Sequence, residues 1–194
     1  MTEKRTAAFL LAFAIIFCLR PTAVQAESPV KAFQVSLFNP VQICKPETDI
    51  RGFRFNLLYG LNRNLSGIDI GIVNRLSANA GALQLGLANL TDGNLTGWQT
   101  GLVNVAKGNT SGLQTGFYNA SGQTRGVQIG VLNTSKKISG FQLGLINHAE
   151  SLSGVQIALF YNTTDSLKGL QIGLLNFSWN KKPNWFLPII NYQF

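Results

Sequence analysis

Side chains that could carry out acid–base, nucleophilic or metal chemistry are scarce in this chain of 194 residues. It contains one histidine and two cysteines, and only 12% of its residues are charged. An average globular domain is about 25% charged. His148 is therefore the single candidate base for a Ser–His–Asp or Cys–His arrangement, and no Cys/His cluster has the spacing of a zinc site. We predict that the protein is not an enzyme and uses no cofactor or metal.

After its first segment the chain also lacks any run of eighteen apolar residues, so the sequence predicts no transmembrane helix. The first segment itself has a basic start at Lys4 and Arg5, an apolar run over residues 7–19 and the small residues of a signal-peptidase site. This pattern is typical of a secretory signal peptide, which is too short to span a membrane. We predict a signal peptide over residues 1–26.

Cys44 is the only cysteine of the predicted mature chain, so no intramolecular disulfide can form, although an exported protein could carry one. That chain has 13 Lys and Arg against 7 Asp and Glu, a net charge of +6. The basic residues are scattered and form no stripe with interleaved aromatic residues, which argues against nucleic acid as a partner. Attraction to anionic lipid headgroups fits this charge better.

Glycine and asparagine are abundant, and the glycines follow a pattern. All 20 glycines fall between Gly52 and Gly173, where the motif Gly-x-Gln-x-Gly-x-x-Asn recurs in eight units of 14–15 residues. Asp69 replaces the glutamine in the first unit, and Asn162 is displaced by one position in the seventh. The glutamine column contains Gln84, Gln99, Gln114, Gln128, Gln142, Gln156 and Gln171. The asparagine column contains Asn74, Asn89, Asn104, Asn119, Asn133, Asn147 and Asn176.

Apolar residues alternate with Gly and Gln inside each unit, as Val127, Ile129 and Val131 do. Alternation with a period of two over five to seven residues predicts a half-buried β-strand. A polar stretch rich in turn-forming residues closes each unit. One strand and one turn therefore fit into each repeat, and we predict an all-β fold.

Two architectures can be built from this unit. We favour a parallel β-solenoid of eight to nine 14–15-residue coils, in which equivalent residues stack about 4.8 Å apart and the Gln and Asn columns form hydrogen-bonded ladders. The motif recurs in every unit, whereas an up-and-down sheet should show features in every second unit. The alternative is an antiparallel outer-membrane β-barrel. Tyr192 and the terminal Phe194 resemble the membrane-assembly signal of bacterial outer-membrane barrels and favour this alternative.

The column before the asparagine column is apolar too, for example at Val73, Val103 or Phe160. If this row faces outward, it is a surface for lipid or a partner. If it turns inward at a corner of the coil, it belongs to the core. The sequence leaves both placements open.

The repeat motif resembles that of bacterial exported surface-repeat proteins, and the segments over residues 33–40 and 53–60 resemble the entry segment of that family. The resemblance implies export and a cell-envelope location, but neither a reaction nor catalytic residues. We divide the chain into a signal peptide, an N-terminal entry segment over residues 27–51, a β-repeat domain over residues 52–178 and a C-terminal aromatic cap or final strand over residues 179–194.

The sequence accordingly predicts a non-enzymatic exported repeat protein of the cell envelope or cell surface, with a structural or partner-binding function. Its predicted location is the cell surface or outer membrane of a bacterium, with the periplasm as an alternative. The partner would be a protein or glycan at the cell surface, or outer-membrane lipid. An integral outer-membrane barrel acting as a pore or anchor is the alternative function, and a hydrolase using Glu150 or Asp165 is a third candidate.

Overall fold

The computed structural model describes residues 28–194, so the predicted signal peptide lies outside the described residues. Within this part of the chain the structure contains eight strands and no helix. The strands are β1 (Val30–Phe38), β2 (Val41–Gln42), β3 (Asp49–Asn62), β4 (Leu65–Leu76), β5 (Ala80–Leu85), β6 (Ala88–Thr91), β7 (Leu95–Ser178) and β8 (Phe186–Gln193).

Successive repeat units pair in parallel, which confirms the β-solenoid and shows that the antiparallel barrel is wrong. Strand β3 pairs with β4, β4 pairs with both β5 and β6, and both of these pair with the start of β7. Gln84 lies opposite Gln99, and Asn89 lies opposite Asn104, so equivalent motif positions stack in register. Among the described residues, antiparallel pairing occurs only at the two ends, between β1 and β2 and between β7 and β8.

Strand β7 covers 84 residues because it continues from coil to coil without interruption. The first glycine of the motif shows how the strand winds. In each coil the backbone of this residue lies against the backbone of the equivalent residue one coil earlier. Strand β7 alone makes five such steps, from Gly97 to Gly169. The stacked positions are Gly52, Gly67, Ala82, Gly97, Gly112, Gly126, Gly140, Gly154 and Gly169.

Each coil bends at its second motif glycine. In one coil β5 ends at Leu85 and β6 begins at Ala88, so the chain bends at Gly86 and Leu87. Gln84 points inward before the bend and Asn89 points inward after it. Because Gly86 occupies the inward position between them without a side chain, Leu87 and Ala88 both face away from the core. The bend therefore interrupts the regular alternation of inward and outward residues.

The interior of the coils is narrow and largely polar. The glutamine and asparagine columns are fully buried, and they are flanked by a column of aliphatic and threonine residues and a column of small residues. Two small apolar clusters complete the core. The first consists of Cys44, Ile50, Leu65, Leu76, Ala80, Ala82, Leu95 and Ala106, and the second of Ile138, Ala149, Leu152 and Leu167.

The stacked positions of the first motif glycine form the first-glycine column. We predict that a side chain at the glycines of this column destabilises the fold. Gly112 has a φ of 143°, and an added Cβ would overlap with the carbonyl oxygen of Gly97 one coil earlier. We expect Gly112→Ala to lower the free energy of unfolding by about 1–3 kcal/mol through backbone strain, and by more through the overlap. The shift of the urea-unfolding midpoint measures this loss.

Gly81→Ala is the matched control, because an added Cβ there would lie 3.8 Å from the carbonyl oxygen of Leu65, an ordinary contact. We expect this variant to keep or slightly raise the free energy of unfolding, by up to about 1 kcal/mol. Equal losses in both variants would contradict the steric role assigned to the first-glycine column.

Candidate functional site

The glutamine column forms a continuous ladder of side-chain hydrogen bonds in the interior. Each Nε2 donates to the Oε1 of the glutamine one coil closer to the N-terminus, at N···O distances of 2.7–2.9 Å. Every member is 0% exposed. Several Nε2 groups also donate to a backbone carbonyl across the coil, as Gln114 does to Ala120 at 3.3 Å. The ladder thus gives these buried amide groups hydrogen-bond partners, which water would provide if they were exposed.

The asparagine column forms a second ladder, which runs in the opposite direction. Each Nδ2 donates to the Oδ1 of the asparagine one coil closer to the C-terminus, at 2.8–2.9 Å. The displaced Asn162 takes its place in this ladder between Asn147 and Asn176. Since the amide dipoles of the two ladders point in opposite directions, their fields oppose each other along the rod.

A buried ion pair begins the glutamine ladder. Gln84 Nε2 donates to Asp69 Oδ2 at 2.8 Å, and Asp69 accepts from Arg54 Nε at 2.8 Å and Arg54 Nη2 at 2.6 Å. Both charged side chains are 0% exposed. At the other end, Asn191 Nδ2 of β8 donates to Gln171 Oε1 at 3.0 Å. Arg54 was not among the predicted functional residues, although it lies in the glutamine column one unit before Asp69 and carries the opposite charge.

The most reactive side chains of the described residues do not come together in one site. Cys44 is buried and its thiol donates to the carbonyl of Phe33 at 3.7 Å. Glu150 and Asp165 are exposed at equivalent positions in neighbouring coils, and His148 is half-buried. Within residues 28–194, no group of three or more His, Cys, Asp or Glu side chains could hold a metal ion.

Two other carboxyl groups form ion pairs between neighbouring coils. Asp92 lies 2.7 Å from Lys107 Nζ and 3.1 Å from Arg75 Nη2. The hydrogen bond from Lys107, followed by that from Arg75, lowers the pKa of Asp92 below its ordinary 3.8. The hydrogen bond from Arg63 lowers the pKa of Asp49 in the same way. These pairs stabilise the stacking of coils above the ordinary carboxyl pKa, and this contribution is lost as the pH falls below it.

Large apolar side chains face outward around the bend of each coil. We call the residue after the second motif glycine the ridge, because it projects at this bend. Three of its members, Leu102, Phe117 and Leu159, are 58%, 60% and 64% exposed. The ridge consists of Ile72, Leu87, Leu102, Phe117, Val131, Leu145, Leu159 and Leu174.

The row before the asparagine faces away from the core, which answers the question that the sequence left open. Val103 is half-buried and Phe160 is 49% exposed. This row continues the apolar surface on one side of the ridge, and the residues after the first glycine and after the glutamine continue it on the other side.

We call these four rows together the apolar wedge. Its 32 positions contain no charged residue, and Thr100, Thr115 and Tyr118 are its only polar members. The three rows besides the ridge are Ile68, Leu83, Trp98, Leu113, Val127, Phe141, Val155 and Leu170; Ile70, Leu85, Thr100, Thr115, Ile129, Leu143, Ile157 and Ile172; and Val73, Ala88, Val103, Tyr118, Leu132, Ile146, Phe160 and Leu175.

Strand β8 extends the wedge beyond the last coil. Tyr192 lies opposite Leu170 and Ile190 lies opposite Ile172 in the antiparallel pair with β7. Tyr192 is 58% exposed, and Phe194 directly after the strand is 92% exposed. Of the two residues that we singled out as a membrane-assembly signal, Tyr192 therefore lies on an exposed strand and Phe194 directly follows it.

An aromatic cluster lies at the same end of the rod. The rings of Phe177, Trp179, Trp185 and Phe186 have centroids 5.2–6.2 Å apart. Trp179 and Trp185 are nearly half exposed. The cluster thus packs together while it still presents two indole rings to the outside.

No protein-family model, curated protein or solved structure matches this chain. The resemblance to exported surface-repeat proteins therefore stays a prediction. Residues 28–194 include no helix with the length and apolar character needed to cross a membrane.

The buried ion pair predicts different outcomes for a single and a double substitution. Asp69→Gln leaves the guanidinium of Arg54 buried without a counter-charge, which should cost about 3–5 kcal/mol of the free energy of unfolding. Adding Arg54→Gln places in the column the amides that the later coils use, and should recover most of that loss. Urea titrations followed by circular dichroism compare the two variants.

Arg63→Gln is the control, because it breaks a pair in which the arginine side chain is 41% exposed. It should cost less than about 1 kcal/mol. If the variant with both Asp69→Gln and Arg54→Gln were as unstable as Asp69→Gln alone, glutamine side chains could not replace the ion pair at the start of the column.

Proposed function

We propose that this protein is a non-enzymatic, exported repeat protein of the bacterial cell envelope, and that it acts as a rigid rod that binds a partner along its apolar wedge. The wedge is the observation that carries the proposal. Monomeric soluble proteins rarely expose contiguous apolar patches larger than a few hundred Å², and larger ones mark interaction sites. Eight units align outward-facing residues in four rows that contain no charged residue and only three polar ones.

The ladders support the role of a rod. Each coil contacts its neighbours through backbone pairing and through one Gln and one Asn hydrogen bond, so order in one coil fixes the orientation of the next. The strands that pair with the first and last coils also fit a rod with a fixed number of coils. Strand β1 pairs with the first coil and β8 pairs with the last. A rod of this kind holds outward residues of equivalent coils in fixed rows, which a flexible chain would not do.

The edge of the coils that lies opposite the wedge is polar, so the rod as a whole is amphipathic. Here Asn79, Asn94 and Asn109 accept or donate hydrogen bonds at exposed positions one coil apart. The ion pairs of Asp49 and Asp92 also lie on the loops of this edge. One edge of the rod is therefore suited to water, and the wedge is suited to an apolar partner.

The predicted signal peptide and the scarcity of reactive side chains support the remaining parts of the proposal. A hydrolase would need acid–base groups brought together in a site. Glu150 and Asp165 are exposed, and among the described residues they belong to no group of three or more His, Cys, Asp or Glu side chains that could hold a metal ion. The pore or anchor function depended on a barrel, and parallel coils do not form one.

Cell fractionation tests the proposed function. We expect the full chain, expressed in a Gram-negative host, to be cleaved before Glu27, to fractionate with the envelope and to be released by alkaline carbonate. N-terminal sequencing and immunoblotting of the fractions measure these outcomes. Leu10→Arg with Leu11→Arg interrupts the predicted signal peptide and should keep the chain in the cytoplasm.

An unprocessed wild-type chain in the cytoplasm would contradict export. Resistance of the envelope fraction to carbonate and high salt, as integral proteins show, would contradict a rod bound at a surface.

A further inference from the structure

We propose that the apolar wedge docks onto a lipid bilayer with anionic headgroups, with the ridge inserted among the outermost parts of the acyl chains. This inference rests on the proposed function, because it names the partner of the same surface. Its basis is the shape of the wedge, the charges beside it and the aromatic residues at its end.

The wedge is convex, which favours a fluid partner. The rows on the two sides of the ridge belong to different strand segments, as β5 and β6 show in the coil that bends at Gly86 and Leu87. A flat protein face would cover only one of these sides. A bilayer can close around both, and apolar faces of interfacial proteins reach about 5–10 Å into the boundary between headgroups and acyl chains.

The ridge is long enough to hold the rod at a membrane surface. Its eight side chains, stacked at the spacing of neighbouring strands, extend over about 34 Å. A single acyl chain gives only marginal membrane binding, and stable binding needs a second signal. The row of half-exposed side chains supplies one signal, and the charge beside the wedge supplies another.

The row that borders the wedge on one side carries positive charges and no negative ones. This row is the residue before the first glycine, which is Arg125 or Lys168 in two of the eight coils and Ser, Gly or Thr in the other six, and Arg51 continues the row in the preceding coil. It faces outward like the neighbouring apolar rows, two residues further along the same strand. Cations at this place lie beside an apolar surface, as phosphate headgroups lie beside acyl chains.

The charges on the other side of the ridge are mixed. The outward row that borders the wedge there is the residue after the asparagine, and its one Lys, Arg, Asp or Glu residue is Arg75. Asp92, Glu150 and Asp165 lie two positions further along, in a row that also contains Lys107 and Lys136. Neither row that borders the wedge therefore contains a carboxylate, and the carboxylates lie further from the apolar surface.

The aromatic residues fit the boundary between water and acyl chains. The three tryptophans of the sequence lie on the wedge, at Trp98, or in the cluster at its C-terminal end, at Trp179 and Trp185. Beside them Lys181 Nζ lies 5.6 Å from the ring centre of Tyr192. Trp and Tyr are enriched at membrane interfaces because one end of the ring is apolar and the other end is polar.

Vesicle flotation with the processed full-length protein tests this proposal. The probes are vesicles of phosphatidylethanolamine with phosphatidylglycerol, and vesicles of phosphatidylcholine alone. We expect the protein to float with the anionic vesicles, to bind the neutral ones more weakly and to lose this difference at high salt. Tryptophan emission should shift to shorter wavelength on binding, since the indole ring of Trp98 lies on the wedge, where the bilayer would cover it.

A matched pair of variants locates the binding surface. Leu102→Gln with Leu159→Gln removes two ridge side chains that are 58% and 64% exposed, and should lower the vesicle partition coefficient about tenfold or more. Val41→Gln with Ile43→Gln removes apolar side chains that are 52% and 70% exposed outside the wedge, and should leave it unchanged. Circular dichroism and the urea midpoint verify that both variants fold.

Three results would overturn the proposal. The first is wild-type protein that floats with neither kind of vesicle. The second is binding that the ridge variant retains at the wild-type level. The third is a dimer in analytical ultracentrifugation that depends on the ridge and excludes vesicles, which would show that a second copy covers the wedge.

Failure of the lipid proposal is distinguishable from failure of the proposed function. A processed protein in the envelope that binds no vesicles would refute lipid as the partner and leave the proposed function standing. An unprocessed cytoplasmic protein would refute the proposed function whatever the vesicle result.

Discussion

The close approach of backbone to backbone between successive coils is the constraint on which the rest of the structure depends. An added Cβ at Gly112 would overlap with the carbonyl oxygen of Gly97, and one at Gly116 would lie 2.7 Å from the Asn104 amide nitrogen. In so narrow an interior, planar amide side chains fit and satisfy one another from coil to coil. Most of the large apolar residues have no place inside, so they form the outer wedge.

The amide ladders make this polar interior tolerable, because an unpaired buried amide is costly whereas a chain of paired ones is mutually reinforcing. Both ladders need an end. Asp69 and Arg54 end the glutamine ladder on one side, and Asn191 of β8 ends it on the other. Asn176 ends the asparagine ladder by donating to the carbonyl of Leu187 at 3.2 Å. The Arg54–Asp69 ion pair and strand β8 thus complete hydrogen bonds that regular repeats alone would leave open.

Sequence periodicity was sufficient to predict the strands, the stacking of Gln on Gln and the parallel direction, because each of these depends on features that recur in every unit. Periodicity alone could not predict that Val103 faces outward, because this depends on Gly101, which occupies an inward position without a side chain. The role of Arg54 depends on a single pair that does not recur. Tyr192 suggested a barrel because an exposed apolar strand at the end of a chain has the same alternation in both folds.

Thiol labelling tests most directly whether the wedge lies outside and the narrow core inside. Leu95 and Leu102 lie in the same coil and are 0% and 58% exposed. In a chain whose two native cysteines are replaced by serine, Leu102→Cys should react with a maleimide nearly as fast as in the unfolded state, and Leu95→Cys should react only when the chain unfolds. A protected thiol at residue 102 in the folded monomer, or a rapidly reacting one at residue 95, would contradict this arrangement.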